Sequence, residues 1–186
     1  MPYEEKEAFH EGTKKSDFYQ KALERSKKFK EEYKRKKKVI HSEEMPWEDS
    51  PQGRIKHLVN EEIDTAECCL DLYIQEIAPG SRSGKHRHMA EEVFFVVEGK
   101  GYDLHWDAFF TLEETYLWDW EKEPKTFEWE EGDFVYIPPY TMHQHFNADP
   151  MKPARFVTAT NRLVKAMGFD HLEQVENAPE YRGKQD

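Results

Sequence analysis

The stretch from residue 80 to residue 99, GSRSGKHRHMAEEVFFVVEG, decides the fold of this protein. It holds two histidines separated by one residue, His86 and His88, and a glutamate, Glu92, at the start of an apolar run. Side chains two residues apart on a β-strand point to the same face, so both imidazoles can reach one metal ion. Imidazoles combined with a carboxylate suit a divalent transition metal.

A second stretch, GDFVYIPPYTMHQHFN at residues 132–147, supplies a further imidazole. The pair Pro138-Pro139 ends the strand FVYI, because proline cannot donate a hydrogen bond to a strand ladder. His143 follows the loop that these prolines begin. Three imidazoles and one carboxylate leave coordination positions open, which is where the chemistry of a catalytic metal takes place.

Short segments rich in Val, Phe, Tyr, Ile and Thr surround both stretches, from about residue 55 to residue 165. Gly, Pro and Asn-Ala-Asp-Pro turns separate them, with no helical pattern between them. Such closely spaced strand signals predict an all-β sandwich or barrel. The acidic and aromatic segment 107–131 is longer than a tight hairpin requires. It fits either a lid over the barrel mouth or an extra hairpin that packs against a neighbour.

The two stretches resemble the two cupin motifs, the first without deviation and the second with one. The matching positions are Gly80, His86, His88, Glu92, Gly99, Gly132, Pro138, His143 and Asn147. The deviation is Tyr140, which stands where the family usually has glycine. The resemblance implies a double-stranded β-helix, a small jelly-roll barrel. It further implies a metal ion bound by the two histidines and the glutamate of the first stretch together with His143.

A weaker resemblance links the sequence to gentisate 1,2-dioxygenase-like cupins. It implies an Fe(II) dioxygenase that uses dioxygen to oxidise or cleave a small aromatic or enediol-type substrate, with Mn, Zn or Ni as the alternative metals. Two other functions stay open. One is an isomerase, lyase or hydrolase that uses a redox-inert ion as a Lewis acid. The other is a non-enzymatic small-molecule sensor or binding module.

Three further residues are candidates for the acid/base or substrate-orienting group: Tyr140, His145 and Tyr102. His145 shares strand parity with His143, so it fits either an additional ligand or a residue beside the ligands. Strand parity also places Phe94 and Val96 on the face of Glu92, in an aromatic pocket or an aromatic core. We predict that the histidines outside the motifs are surface residues; these are His10, His41, His57 and His171.

The chain divides into four predicted segments: a charged helical arm at 1–45, a linker at 46–54, the barrel at 55–165 and a short helix and tail at 166–186. In the arm, apolar residues recur at spacings of four and seven, which indicates one stripe of a helix. They are Phe18, Ala22, Phe29 and Tyr33. The basic run 34–38 is read as a solvated helix end, with an anion-binding patch as the less favoured alternative.

The composition narrows the function classes. Among 186 residues the formal charge is −11, which argues against a partner of duplex nucleic acid. Residues 1–40 are the exception, with 13 Lys and Arg against 8 Asp and Glu. The sequence has no run of eighteen apolar residues, so we expect no membrane association. It shows no apolar leader, and the adjacent Cys68 and Cys69 suggest reduced thiols, so we expect a cytosolic protein. Open barrel edges and the segment 107–131 favour a homodimer.

Overall fold

The structure, a computed structural model, describes residues 16–66, 69–169 and 171–183. The chain forms two compact units, Met1–Lys36 and Lys37–Asp186. The described part of the first unit contains helix α1 (Phe18–Tyr33), all of whose side chains are exposed. The helix predicted for the arm is therefore present. The start of the arm, with His10, and the residue Cys68 lie outside the described residues.

The described residues of the second unit form thirteen short strands, a 3-10 turn and a short helix. The turn is Ser42–Glu44 and the helix, α2, is Leu163–Ala166. The strands are β1 (Trp47–Ser50), β2 (Gly53–Val59), β3 (Leu70–Ile77), β4 (Lys85–His88), β5 (Glu92–Glu98), β6 (Lys100–Trp106), β7 (Ala108–Leu112), β8 (Tyr116–Trp120), β9 (Lys125–Glu130), β10 (Phe134–Ile137), β11 (Met142–Asn147), β12 (Ala154–Asn161) and β13 (Leu172–Glu176). Among the described residues, no helix has both the length and the apolar run needed to span a bilayer.

Two antiparallel sheets make up the barrel. One has the order β1-β2-β3-β12-β5-β10 and the other the order β13-β4-β11-β6-β9. From β3 to β6, and again from β9 to β13, successive strands alternate between the sheets. This alternation is the jelly-roll topology, in which sheets close on each other and few edges remain free. The predicted all-β jelly-roll fold with an N-terminal helix is confirmed. A short helix near the C-terminus is also present, but it lies at Leu163–Ala166 and not within 166–186, where it was predicted.

The apolar core lies between the two sheets. Its buried members are Ile77, Phe94, Val96, Trp129, Ile137, Ala154 and Phe156. Phe94 on β5 and Phe156 on β12 pack with ring centroids 4.5 Å apart. Burial of each ring stabilises the fold by about 1.5–3 kcal/mol. Glu92, Phe94 and Val96 alternate inward along β5, as their strand parity predicted, so the core that anchors the two apolar residues also fixes the direction of Glu92.

Two segments that the sequence placed outside the barrel belong to its sheets. Residues 46–54, predicted as a linker, contain β1 and the start of β2, which form a hairpin with Ser50 opposite Gly53. Gly53 has a φ of 121°, a conformation that glycine adopts without strain. The Pro and Gly that suggested a linker are therefore turn residues. In the predicted tail, β13 pairs with β4, although its sequence LEQVE is mostly polar.

The acidic and aromatic segment between the two motifs contains a separate two-stranded sheet, β7–β8, followed by β9. The indole Nε1 of Trp120 donates a hydrogen bond of 2.9 Å to the backbone carbonyl of Tyr140. This contact ties the end of the hairpin to the loop that precedes β11.

Candidate metal centre

Three strands bring the predicted ligands together at one end of the barrel. His86 and His88 project from the same face of β4, and His143 on β11 stands directly opposite His86 in the antiparallel register. Glu92 enters from β5 on the other sheet. One ligand atom from each of the four residues lies within 4.8 Å of the others. The spacing of the two motifs thus predicted which residues meet; that they bind a metal stays a prediction.

The hydrogen bonds of the three imidazoles leave the same nitrogen of each ring facing the cluster. The Nδ1 atoms lie against backbone carbonyls: His86 on Gly84 at 3.3 Å, His88 on Ala90 at 2.7 Å and His143 on Thr141 at 2.9 Å. A ring that donates from Nδ1 presents the lone pair of Nε2, the arrangement typical of metal-ligating histidine. The Nε2 atoms of His86 and His143 are buried and have no hydrogen-bond partner in the described residues.

Buried nitrogens and oxygens that lack partners are costly, so the cluster suits an ion that they coordinate. The Oε1 atom of Glu92 is a third such atom within the described residues. Nitrogen and carboxylate donors of this kind fit Fe, Mn, Zn or Ni, and they do not distinguish among them. The residues present therefore fit a divalent transition metal.

Two of the candidate ligands are neutral imidazoles. Burial, reinforced by the neighbouring imidazole of His88, lowers the pKa of His86 to about 3. Burial and the charges of His86 and His88 also hold the pKa of His143 well below its ordinary value. Both rings are therefore neutral at neutral pH, which is the protonation state that a metal requires.

His88 and Glu92 form the one ion pair of this cluster, with Nε2 and Oε2 3.1 Å apart. Burial is the largest influence on His88 and lowers its pKa, but the hydrogen bond and charge of Glu92 and the contact with the Ala90 carbonyl together raise the pKa above the ordinary value. Burial likewise raises the pKa of Glu92, but the hydrogen bond to His88 and the charges of the neighbouring imidazoles together lower it. The proton shared by this pair occupies the place that a bound cation takes.

Tyr73 on β3 contacts the same carboxylate. Its hydroxyl lies 3.4 Å from Oε2 of Glu92. Burial and the nearby Glu92 carboxylate hold the pKa of Tyr73 well above its ordinary value, so the hydroxyl keeps its proton and donates. Tyr73 was not predicted as a site residue, because nothing in the two motifs indicates that β3 pairs with β12 and so comes close to β5.

His145 lies beside the candidate ligands, not among them. Its Nδ1 hydrogen-bonds Oδ1 of Asp103 at 2.9 Å, and its Nε2 lies 3.9 Å from Oε1 of Glu92. Asp103 is fully buried and also accepts a hydrogen bond of 2.8 Å from the indole of Trp129. The Asp103 carboxylate thus orients His145 so that its Nε2 faces Glu92. Asp103 was missed by the sequence analysis, although it shares strand parity with His105.

A cavity of about 540 Å³ opens on the side of His88 and Glu92. His88 keeps 13% of its side-chain surface exposed, whereas Glu92 is fully buried. Strands of the six-stranded sheet form one wall, and α2 with the segment up to β13 forms another. Its apolar lining includes Ile55, Val59, Leu72, Tyr73, Met89, Val164, Phe169 and Leu172. A mostly apolar cavity with a few polar groups is typical of a small-molecule site.

The remaining predicted residues occupy other places. Tyr102 lies on the face of β6 opposite to Asp103 and stacks on Phe146 with centroids 4.8 Å apart, so the structure does not bring it to the cluster. Tyr140 is buried at φ 64°, and its amide donates a hydrogen bond of 2.9 Å to the backbone carbonyl of His88. Its hydroxyl lies 3.1 Å from Nδ1 of His171.

Two of the histidines predicted as surface residues also line the cavity. His57, on β2, is partly buried, and its Nε2 lies 2.7 Å from Oε2 of Glu48. His171 is exposed but lies on the cavity rim beside Tyr140. The sequence offered no signal for either residue, because both come from strands and turns outside the two motifs.

The jelly-roll barrel and its cluster of three histidines and one glutamate define a cupin. The chain belongs to the auxin-binding-protein family, whose family model matches residues 37–171. The matched range begins with the second unit and ends at the residue before β13, whose Leu172 and Gln174 also line the cavity. No curated protein sequence matches the chain.

Solved structures show the same fold. Oxalate decarboxylase from Lactobacillus farciminis superposes with a TM-score of 0.56 at 17% identity, over 73% of this chain and 35% of its own. A deletion mutant of Bacillus subtilis oxalate decarboxylase gives 0.55 at 15% identity, over 73% of this chain and 32% of its own. The chain thus spans about a third of the length of these enzymes, and at such identity the likeness concerns the fold alone.

Proposed function

We propose that this protein is a metal-dependent cupin enzyme, and specifically an Fe(II) dioxygenase that oxidises or cleaves a small aromatic or enediol-type molecule. One observation carries the proposal: four ligand atoms lie within 4.8 Å beside a cavity of about 540 Å³. Four protein ligands leave coordination positions open to a substrate and to dioxygen. Two of the four candidate ligands, His88 and Glu92, line that cavity.

In this proposal His86, His88 and His143 hold the metal by Nε2, and Glu92 is a fourth or displaceable ligand. When bound, the iron supplies one-electron chemistry between an electron-rich substrate and dioxygen. The cavity walls hold the substrate and exclude water. Tyr140 and His145 remain proposed as acid/base or orienting groups. The amide of Tyr140 contacts the backbone of His88, and His145 lies beside Glu92.

Loading the metal-free protein anaerobically, separately with Fe(II), Mn(II) and Zn(II), tests the proposal. Each form is given dihydroxyaromatic and enediol compounds, and oxygen consumption is recorded with an electrode. We expect uptake with Fe(II) and none with Zn(II), because Zn(II) has no accessible second redox state. The Fe(II)-treated His143→Ala variant is the matched control and should show no uptake.

Other outcomes identify the alternative functions. Turnover without oxygen in the Zn(II) or Mn(II) form contradicts the dioxygenase and supports a lyase, isomerase or hydrolase; oxalate, named in the two structural relatives, belongs in that assay. Saturable binding of an aromatic acid without any product supports a binding module. The matching family model is described as an auxin binding protein, and this description favours the binding module as the second candidate function.

We further propose that the protein is a homodimer and cytosolic, as the sequence predicts. The hairpin β7–β8 exposes large apolar side chains that a second copy is suited to cover: Phe109, Phe110, Leu112, Tyr116, Leu117 and Trp118. Light scattering after size exclusion should give twice the chain mass of 22.3 kDa. Leu117→Glu should lower that mass to one chain, because it places a charge in the covered surface. A wild-type mass of one chain contradicts the proposal.

A further inference from the structure

The hydrogen bonds of the Glu92 carboxylate within the described residues all go to one of its two oxygens. Its Oε2 atom is shared by His88 Nε2 at 3.1 Å and by the Tyr73 hydroxyl at 3.4 Å, whereas Oε1 has no hydrogen-bond partner in the described residues. Glu92 is fully buried, so no bulk water completes its hydrogen bonding. Nε2 of His145 lies 3.9 Å from Oε1, which is close enough for an ion pair but too long for a hydrogen bond. The hydrogen bonds that direct the carboxylate therefore come from the two donors on Oε2.

One of the two donors is itself a candidate ligand. The Nδ1 atom of His88 lies 2.7 Å from the carbonyl of Ala90, so Nε2 is the nitrogen that a metal takes. Once Nε2 is committed to an ion, it has no proton left to donate to Glu92. Within the described residues, the hydroxyl of Tyr73 is then the donor that remains on this carboxylate.

The position of Tyr73 in the sheet is well fixed. It lies on β3, next to β12 in the register, where it pairs with Thr158, and Thr158 pairs in turn with Phe94 on β5. Its side chain shares the inward face with Gln75, which is fully buried. It also lines the cavity together with His88 and Glu92.

We propose that Tyr73 is a positioning residue that keeps Glu92 in the metal's ligand set. The inference rests on the proposed metal centre. The Tyr73 hydroxyl gives its proton to Oε2 and so holds the carboxylate beside His88 once Nε2 of His88 no longer donates to it. Outer hydrogen-bond partners of this kind typically change metal affinity by about 10–100-fold.

Tyr73→Phe tests the role, since it removes the hydroxyl and keeps the ring. Tyr136→Phe is the matched control, because the Tyr136 hydroxyl donates a hydrogen bond of 3.1 Å to Glu91, the residue before Glu92, on the exposed face. Full-length protein is titrated with Co(II), and both the affinity and the visible absorption are recorded. The intensity of that absorption reports the number of ligands, independently of any turnover.

We expect Tyr73→Phe to weaken Co(II) binding by about tenfold or more and to give the more intense spectrum of a site with fewer ligands. Tyr136→Phe should match the wild type in both. In a Glu92→Gln background, Tyr73→Phe should change the affinity little further, because the two residues act through one contact.

Each other result contradicts a particular statement. If wild-type protein loads with Co(II) and Tyr73→Phe matches it in affinity and spectrum, Tyr73 does not position Glu92. If Tyr73→Phe lowers the affinity as much in the Glu92→Gln background as alone, its effect does not pass through Glu92 and the inference is wrong. If wild-type protein takes up no Co(II), the proposed metal centre itself fails, and the inference fails with it.

Discussion

Protein carrying His86→Ala is expected to leave purification with almost no bound transition metal, whereas the wild type should retain about one ion per chain. The imidazole of His86 is fully buried, and its Nε2 faces the cluster without a hydrogen-bond partner in the described residues. Changes around a ligand alone weaken binding by about 10–100-fold, so removal of a ligand should exceed that range. Metal analysis of protein purified without added metal or chelator measures the effect.

His57→Ala is the matched control for this loss. His57 lines the same cavity, but its Nε2 lies against Glu48, outside the cluster. Its metal content should equal that of the wild type. Circular dichroism of both variants confirms that the barrel is intact. Equal metal content in wild type and His86→Ala would contradict the site, and near-stoichiometric iron in the wild type would favour the dioxygenase over a Lewis-acid enzyme.

Three of the four candidate ligands were predictable because their geometry is local. His86 and His88 share a face through the two-residue period of a strand, and the spacing from Gly80 to Gly99 fixes the turn that brings in Glu92. The contribution of His143 depends on the order of strands across the sheet. That order is not readable from periodicity, and it came from the resemblance of both motifs to a known family.

The residues around the ligands were not predictable in the same way. Tyr73 reaches Glu92 across β12, and Asp103 on β6 lies opposite His145 on the neighbouring strand β11. Such contacts depend on which strands are neighbours, a property of the whole fold and not of any one segment. Tyr102 was predicted as a site residue, and it lies on the same strand as Asp103. Because the two residues are adjacent, their side chains point to opposite faces, and Tyr102 stacks on Phe146 away from the cluster.

The edges of the barrel were misread for a chemical reason. Residues 46–54 are mostly polar and carry turn residues, and residues 172–176 are mostly polar. Both contain edge strands, which face water on one side, so their hydrophobic alternation is weak. Their membership in the sheets is set by pairing with β3 and β4, which supply the ladder of hydrogen bonds. The interior strands, whose alternation is strong, were predicted correctly.

Gly101→Ala is expected to destabilise the fold by more than about 3 kcal/mol, which is above the usual range for overpacking a core. Gly101 on β6 pairs with Trp129 on β9 and with Asn147 on β11. A Cβ atom there would lie 1.9 Å from the carbonyl oxygen of Phe146 and 2.6 Å from the Trp129 ring. The first is a backbone atom of a paired strand, so relief requires that the strands move apart.

The effect should reach the metal centre through a short path. The indole of Trp129 donates a hydrogen bond to Asp103, and Asp103 orients His145 beside Glu92. Displacement of Trp129 by the new methyl group therefore loosens the buried network behind the ligands. Because domains of this size are stable by only about 5–15 kcal/mol, a loss above 3 kcal/mol is a large share of the total.

Gly132→Ala is the matched control, and urea unfolding followed by circular dichroism is the measurement. A Cβ at Gly132 meets nothing within 4 Å, but the residue has a φ of 94°. Its cost is therefore backbone strain alone, about 1–2 kcal/mol. Gly101→Ala should unfold at clearly lower urea than Gly132→Ala. Equal midpoints would mean that β6 and β11 can separate at little cost, and that the close approach at Gly101 does not stabilise the barrel.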